Sequence, residues 1–157
     1  NFHRTQDRLA TQSALPRAMT DQGIIRYGFH GLSYEYIAGV LPTHIGVRAS
    51  GRVIVAHLGN GASMCAMKDG CSVATSMGFT ALDGLMMGRR CGTLDPGVVL
   101  YMMDHMNLAS DEITQVLYKE SGLLGVSGIS NNMSTLQASD APEAREAIEL
   151  FCYRAAS

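Results

Sequence analysis

Three groups of residues in this chain have the types and spacing to handle a small anion. The first is His57-Leu58-Gly59-Asn60-Gly61. Two glycines flanking an asparagine let the backbone turn tightly and bring N–H groups close to an anion. The imidazole of His57, just before the turn, can donate to a phosphate oxygen. The same Asn-Gly pair also suits a plain hairpin whose only demand is positive φ, so spacing alone leaves both readings open. The second group is Met87-Gly88-Arg89-Arg90-Cys91-Gly92. Its adjacent guanidinium groups, on a Gly-flanked loop, can grip a carboxylate or phosphoryl group through paired donors; a solvated surface pair is the alternative. The third is His30, in the turn-rich Gly28-Phe29-His30-Gly31, which reads either as a structural donor or as a group that handles charge.

Other chemistries lack their signatures. There is no GxxxxGK[ST] phosphate loop, no GxSxG elbow and no HExxH zinc motif. Cys65, Cys71, Cys91 and Cys152 show no CxxC or Cys/His ligand spacing, which points to thiols in a reducing cytosol rather than disulfides or zinc. A formal charge of −2 with no basic stripe gives no footprint for nucleic acid. No apolar run reaches the ~18 residues of a membrane helix. With 46% hydrophobic and 17% charged residues, the composition is that of a folded globular chain.

Residues 1–28 are polar and mixed, with weak helical character from Arg4 to Leu15 and Pro16 as a breaker. Ser33 can cap a short helix from Tyr34 to Val40 that ends at Pro42. Arg52 to Leu58 is a β-branched strand, Gly59-Asn60-Gly61 a turn, Ala62 to Met67 a second strand, Lys68-Asp69-Gly70 another turn and Cys71 to Met77 a third strand. The result is an antiparallel meander of three strands. A Gly-rich stretch from Gly78 to Pro96 is expected to be a long functional loop. Asp95 and Pro96 open a helix whose Val98, Val99, Met102, Met103 and Met106 recur at helical spacing, most simply as core filler. Ser110 opens another with Asp111 and Glu112 in its first turn and Ile113, Val116 and Leu117 as its apolar positions. Gly122 to Gly128 reads as a link, and a last helix from Asp140-Ala141-Pro142-Glu143 carries Ala147, Ile148, Phe151 and Cys152 toward a core. Strands followed by helices indicate an α/β or α+β architecture.

Taken in order, Arg26-Tyr27-Gly28-Phe29-His30-Gly31, His57-Leu58-Gly59-Asn60-Gly61-Ala62-Ser63, Thr75-Ser76-Met77-Gly78-Phe79-Thr80, Gly84-Leu85-Met86-Met87-Gly88, Asp95-Pro96 and Glu120-Ser121-Gly122-Leu123-Leu124-Gly125 closely resemble the acetate kinase family. The resemblance covers nearly the whole chain. It implies an α/β, ribonuclease H-like fold of the actin, Hsp70 and sugar kinase superfamily. Residues 1–157 would then be the first half of the second, C-terminal nucleotide-binding domain, in a fragment lacking the N-terminal domain and the C-terminal end. It implies reversible transfer of the γ-phosphoryl of ATP to acetate, with Mg2+ whose ligands lie outside this chain. It also implies a cytoplasmic homodimer that engages neither nucleic acid nor membrane.

Carried onto this sequence, the resemblance makes His30 and Arg90 stabilisers of the transferring phosphoryl, a role that fits a reaction governed by positioning and charge. His57, Leu58, Gly59, Asn60 and Gly61 become the ATP-phosphate loop, and Phe29 a wall of the pocket for the substrate's alkyl group. Leu32 and Tyr34 depart from the family's pattern. So does Ala81, which stands where the family has a pocket-lining proline; its smaller volume enlarges the pocket and suggests tolerance of propionate. Asn132 and Ser134 replace an acidic and a basic residue that hold the adenosine, which leaves nucleotide preference open. The family's catalytic aspartate and magnesium ligands are expected outside these residues, so the fragment alone is expected to be inactive. The alternatives are a propionate or butyrate kinase, or a non-catalytic fragment that binds phosphate or nucleotide through residues 57–61.

Overall fold

The computed structural model describes residues 2–157. They form two compact units, one of residues up to 58 together with 62–84, the other of residues 59–61 together with 85–157.

The first unit is built on the expected antiparallel meander, β1 (Arg52–Leu58), β2 (Ala62–Lys68) and β3 (Cys71–Thr75), in that spatial order. Burial alternates along β1, and Val53, Val55 and His57 pair across to Met67, Cys65 and Ser63 of β2. Paired residues of adjacent strands share a face. On that face Cys65 and Met67 are buried with Tyr34, and Phe2, Ala38 and Val55 pack against them. Tyr34 and Ala38 come from α2 (Gly31–Ile45), which thereby covers the sheet. β3 ends two residues earlier than its apolar run suggests, because the Ser76 hydroxyl accepts from the Met64 N–H at 2.9 Å, a place a backbone carbonyl would otherwise take.

Three expectations about helices in this unit are corrected. Arg4 to Leu15 is not helical; only a 3-10 turn spans Phe2–Thr5, held by His3, which is buried and bonded to Ser72 and to the Phe29 carbonyl. Pro16 precedes α1 (Arg17–Asp21) and starts a helix instead of breaking one. Helix α2 begins at Gly31 with His30, not Ser33, at its N-cap, and runs through Pro42 to a stop at Gly46. A proline near a helix end removes one N–H bond, which an otherwise packed helix tolerates.

The second unit is helical. It contains α3 (Pro96–Asp104), α4 (Ser110–Gln115) running into a π-helical turn (Val116–Glu120), α5 (Gly122–Ser127), α6 (Met133–Gln137) and α7 (Pro142–Ala156). Asp95 caps α3 as expected, its carboxylate accepting from Gly97 N at 2.8 Å. At α4 the Glu112 carboxylate reaches back to the Ala109 N–H at 2.7 Å. Met86, Leu123, Leu136, Ala144 and Ala147 are the buried core, with Ile148 and Phe151 packed against it.

Here too the sequence misleads at particular places. Gly122–Ser127 is a helix closed by Gly128 as its C-cap, not a link, and α6 carries no periodic signal strong enough to announce it. The apolar positions of α3 are not core: no residue of α3 is buried, Met103 is about half exposed, at 49%, and Met106, at 54%, lies beyond the end of the helix. Cys152 is exposed, because α7 turns Ala144 and Ala147 inward instead.

Candidate functional site

In the first unit the site grows from the N-terminus of α2. His30 occupies the left-handed region, with φ 60° and ψ 20°, and its side chain makes no cap. A non-glycine residue there costs about 1–2 kcal/mol, and the strain persists because the imidazole is tied elsewhere. His30, Ser33 and Tyr34 stand at i, i+3 and i+4 and therefore on one face of the helix. That face meets the sheet where His57 pairs with Ser63. His30 Nδ1 lies 2.8 Å from Ser63 Oγ, and Ser63 Oγ is hydrogen bonded to the Tyr34 hydroxyl. His57 Nδ1 lies 3.0 Å from Ser33 Oγ. The two imidazoles stack, with ring centroids 4.0 Å apart and planes 21° from parallel.

Burial pushes the Tyr34 phenol above its ordinary value of 10.0, opposed by its hydrogen bond to Ser63. Burial likewise pushes the Cys65 thiol above 9.0, opposed by Ser72. Both groups stay neutral at ordinary pH because the charged form would lose its hydration.

The backbone leading into His30 is strapped to β3 and the residues after it. Gly28 has φ 68°, and a Cβ there would sit 2.7 Å from both the His3 ring and Thr75 Cγ2, so only glycine fits. The Phe29 carbonyl lies 2.8 Å from His3 Nε2, and the Phe29 side chain is half-buried. The N–H groups of Tyr27 and Gly28 both donate to Gly78 O, at 3.0 and 3.3 Å. Arg26 pairs with Asp83 at 3.1 Å and donates to the carbonyls of Ser76 and Met77. Ala81 is half-buried in the segment this ion pair closes.

In the second unit the Gly59–Gly61 turn and the arginine loop are joined by the backbone. Gly88 N donates to Asn60 O at 3.3 Å, and Met87 N donates to Arg90 O at 3.2 Å. The carbonyls of Met87, Gly88 and Arg89 accept in turn from Leu123 N at 2.8 Å, Leu124 N at 3.0 Å and Ser121 N at 3.0 Å. The first N–H groups of a helix have no partner inside it; here the arginine loop supplies the carbonyls for α5. Gly122 is the hinge of this arrangement. It has φ 65°, and a Cβ on it would collide with Met87 O and lie 2.8 Å from Arg90 O. Arg90 is half-buried and Arg89 exposed. The Asn132 side chain accepts from Ser134 N at 2.9 Å and caps α6.

The structure thus brings His30 and His57 together in one unit, and Asn60 and the arginine loop together in the other. Leu58 is exposed, as are Gly59 and Asn60. Sequence reading missed Ser33 and Ser63 as partners of the two histidines and took Tyr34 only as a departure from pattern. The signal was present: a turn at residues 59–61 sets His57 opposite Ser63, and helical spacing sets Ser33 and Tyr34 beside His30. Among the described residues no group of three His, Cys, Asp or Glu side chains could hold a metal ion, and no helix is long and apolar enough to cross a membrane.

Residues 1–157 match the family described as the Acetokinase family. An acetate kinase of Rhodopseudomonas palustris (strain TIE-1) is 65% identical over 156 residues, which are 99% of this chain and 39% of that protein. Among solved structures, the acetate kinase of Porphyromonas gingivalis superposes with a TM-score of 0.93 at 37% identity, over 98% of this chain and 40% of that one. A propionate kinase from Francisella tularensis superposes with a TM-score of 0.92 at 42% identity, over 99% and 41%. The chain therefore spans about 40% of the length of the relatives it matches.

Proposed function

The chain belongs to the acetokinase family, and from that premise we propose that it is the first half of the second nucleotide-binding domain of an ATP:acetate phosphotransferase. In the whole enzyme acetate and ATP give acetyl phosphate and ADP. A carboxylate oxygen attacks the γ-phosphorus, forming the new O–P bond as the bond to the bridging oxygen of ADP breaks. Charge spreads over the three equatorial oxygens of the migrating group, and fixed donors aimed at it lower the barrier. His30 and Arg90 are the proposed donors. Residues 57–61 are proposed to hold the ATP phosphates, and Phe29 to border the alkyl pocket. A cytoplasmic homodimer belongs to the same proposal.

The observation that carries this reading is the family match across all 157 residues, and the residue it is proposed to act through first is His30. Its strained backbone and its bond to Ser63 support it, since strain persists where surrounding structure holds a group for a purpose. The ligands of Mg2+ are proposed to lie outside residues 1–157, and no step above runs through the ion. The 157 residues alone are proposed to be inactive.

A second reading, a propionate or butyrate kinase, is favoured by Ala81 and by the likeness to a propionate kinase at 42% identity. Trapping acyl phosphate as its hydroxamate, in the full-length protein that carries this segment, tests both. Acetate is expected to give the highest kcat/KM, with measurable propionate turnover. Ala81→Pro should narrow the preference toward acetate; an unchanged ratio would remove the role given to Ala81. Absence of hydroxamate with all three acids would remove the kinase assignment itself.

A further inference from the structure

We propose that His3 is a positioning residue for His30: its imidazole clamps the peptide joining Phe29 to His30, and so holds the left-handed backbone on which the His30 ring is mounted. The proposal rests on the reading of His30 as a group that acts on the phosphoryl, and it gives that site a residue that touches neither substrate.

The bond that carries it joins His3 Nε2 to the Phe29 carbonyl, at 2.8 Å. A carbonyl has no proton to give, so Nε2 donates. The Phe29 carbonyl and the His30 N–H lie in one rigid peptide plane, and φ of His30 is the rotation that follows that plane. At 60° this rotation stands where a residue with a side chain is strained. Turning the plane would relieve the strain. It would also pull the carbonyl off its donor, and His3 is only 3% exposed, so water cannot readily take the place of the lost partner.

A clamp must itself be fixed, and this one is. With the ring proton on Nε2, Nδ1 accepts from the Ser72 hydroxyl at 2.9 Å, and the Ser72 oxygen in turn accepts from Gln6 Nε2 at 2.9 Å and from the Cys65 thiol at 3.4 Å. Ser72 is fully buried on β3. Thr5 Oγ1 donates to the Ser72 carbonyl at 2.8 Å, which pins the turn carrying His3 to the same strand. The edge of the His3 ring meets Tyr34, with centroids 5.7 Å apart and planes 68° from parallel. The imidazole is thus held by β3 through one nitrogen and holds the peptide before His30 through the other.

The test is the Phe29 carbonyl signal of the full-length protein labelled with 13C-carbonyl phenylalanine and 15N-histidine, which isolates Phe-His peptides; the wanted signal is the one lost in Phe29→Leu. His3→Leu removes the donor and should move this signal toward that of an unbonded carbonyl. In step with it, kcat should fall about tenfold to a hundredfold while the KM for ATP changes little, as when a functional group is slightly misplaced. His3→Gln, whose amide can again donate to Phe29, should restore the signal and most of kcat. An unmoved signal in His3→Leu overturns the proposal, as does wild-type kcat in that variant or an equal loss of kcat in His3→Gln. Should His3→Leu fail to fold, Ser72→Ala, which releases Nδ1 and leaves the ring in place, decides by the same two readouts. If His30→Ala keeps full kcat, the phosphoryl role of His30 fails, whereas the clamp on the peptide is judged by the carbonyl signal alone.

Discussion

His30 combines a left-handed backbone with a side-chain bond to Ser63, and these two features pull stability in opposite directions. Glycine at this position would relieve about 1–2 kcal/mol of strain and forfeit a hydrogen bond worth about 0.5–1.5 kcal/mol. His30→Gly is therefore expected to melt within a few degrees of wild type while losing at least ~100-fold in kcat. A large fall in melting temperature with activity retained would reverse that reading. Tyr34 and Cys65 make a separate prediction about pH. Both are held neutral by burial, with folded pKa values above 10.0 and 9.0. The stability they contribute is present in full below those ordinary values and is lost as pH rises through the raised ones, since only the unfolded chain ionises freely. Urea midpoints should thus decline above about pH 9, and Tyr34→Phe should flatten the part of the decline above about pH 10. A decline equally steep in Tyr34→Phe would show that the phenol is not one of its causes. None of this was visible residue by residue in the sequence, because the partners of Tyr34 and His30 lie on a strand about thirty positions away.

At the scale of elements, the meander was legible for a physical reason: a β-branched run, an Asn-Gly turn and an Asp-Gly turn each exclude the alternatives locally. Helix α2 was legible in existence but not in extent, since Pro42 costs one bond that packing against the sheet outweighs. Helix α5 was hidden because its glycines signal flexibility, whereas Gly122 is there to let the carbonyls of Met87 and Arg90 approach. The periodicity of α3 shows which residues share a face, and nothing in the period says what covers it. The α5 case yields a prediction. Gly122→Ala must adopt a positive φ and displace backbone of the arginine loop, so it should destabilise by about 2 kcal/mol or more. It should also lower kcat, because the loop that moves carries Arg90. Thermal melts and hydroxamate kinetics of this one variant check both halves. Unchanged melting would mean that the loop yields freely and that α5 does not hold it.

For the whole molecule, the family and the class of fold were legible from ordered motifs spread along the chain, and the comparisons agree over 98–99% of its length. The catalytic assignment asks more, because it gives His30 and Arg90 a part in the same phosphoryl transfer. Turnover of His30→Ala and Arg90→Ala in the full-length protein, followed by hydroxamate formation at saturating acetate and ATP, addresses this directly. If both side chains stabilise the migrating phosphoryl, each variant loses at least ~100-fold in kcat, and the KM for ATP stays within a few-fold of wild type. Wild-type kcat in both variants would contradict the account at its centre.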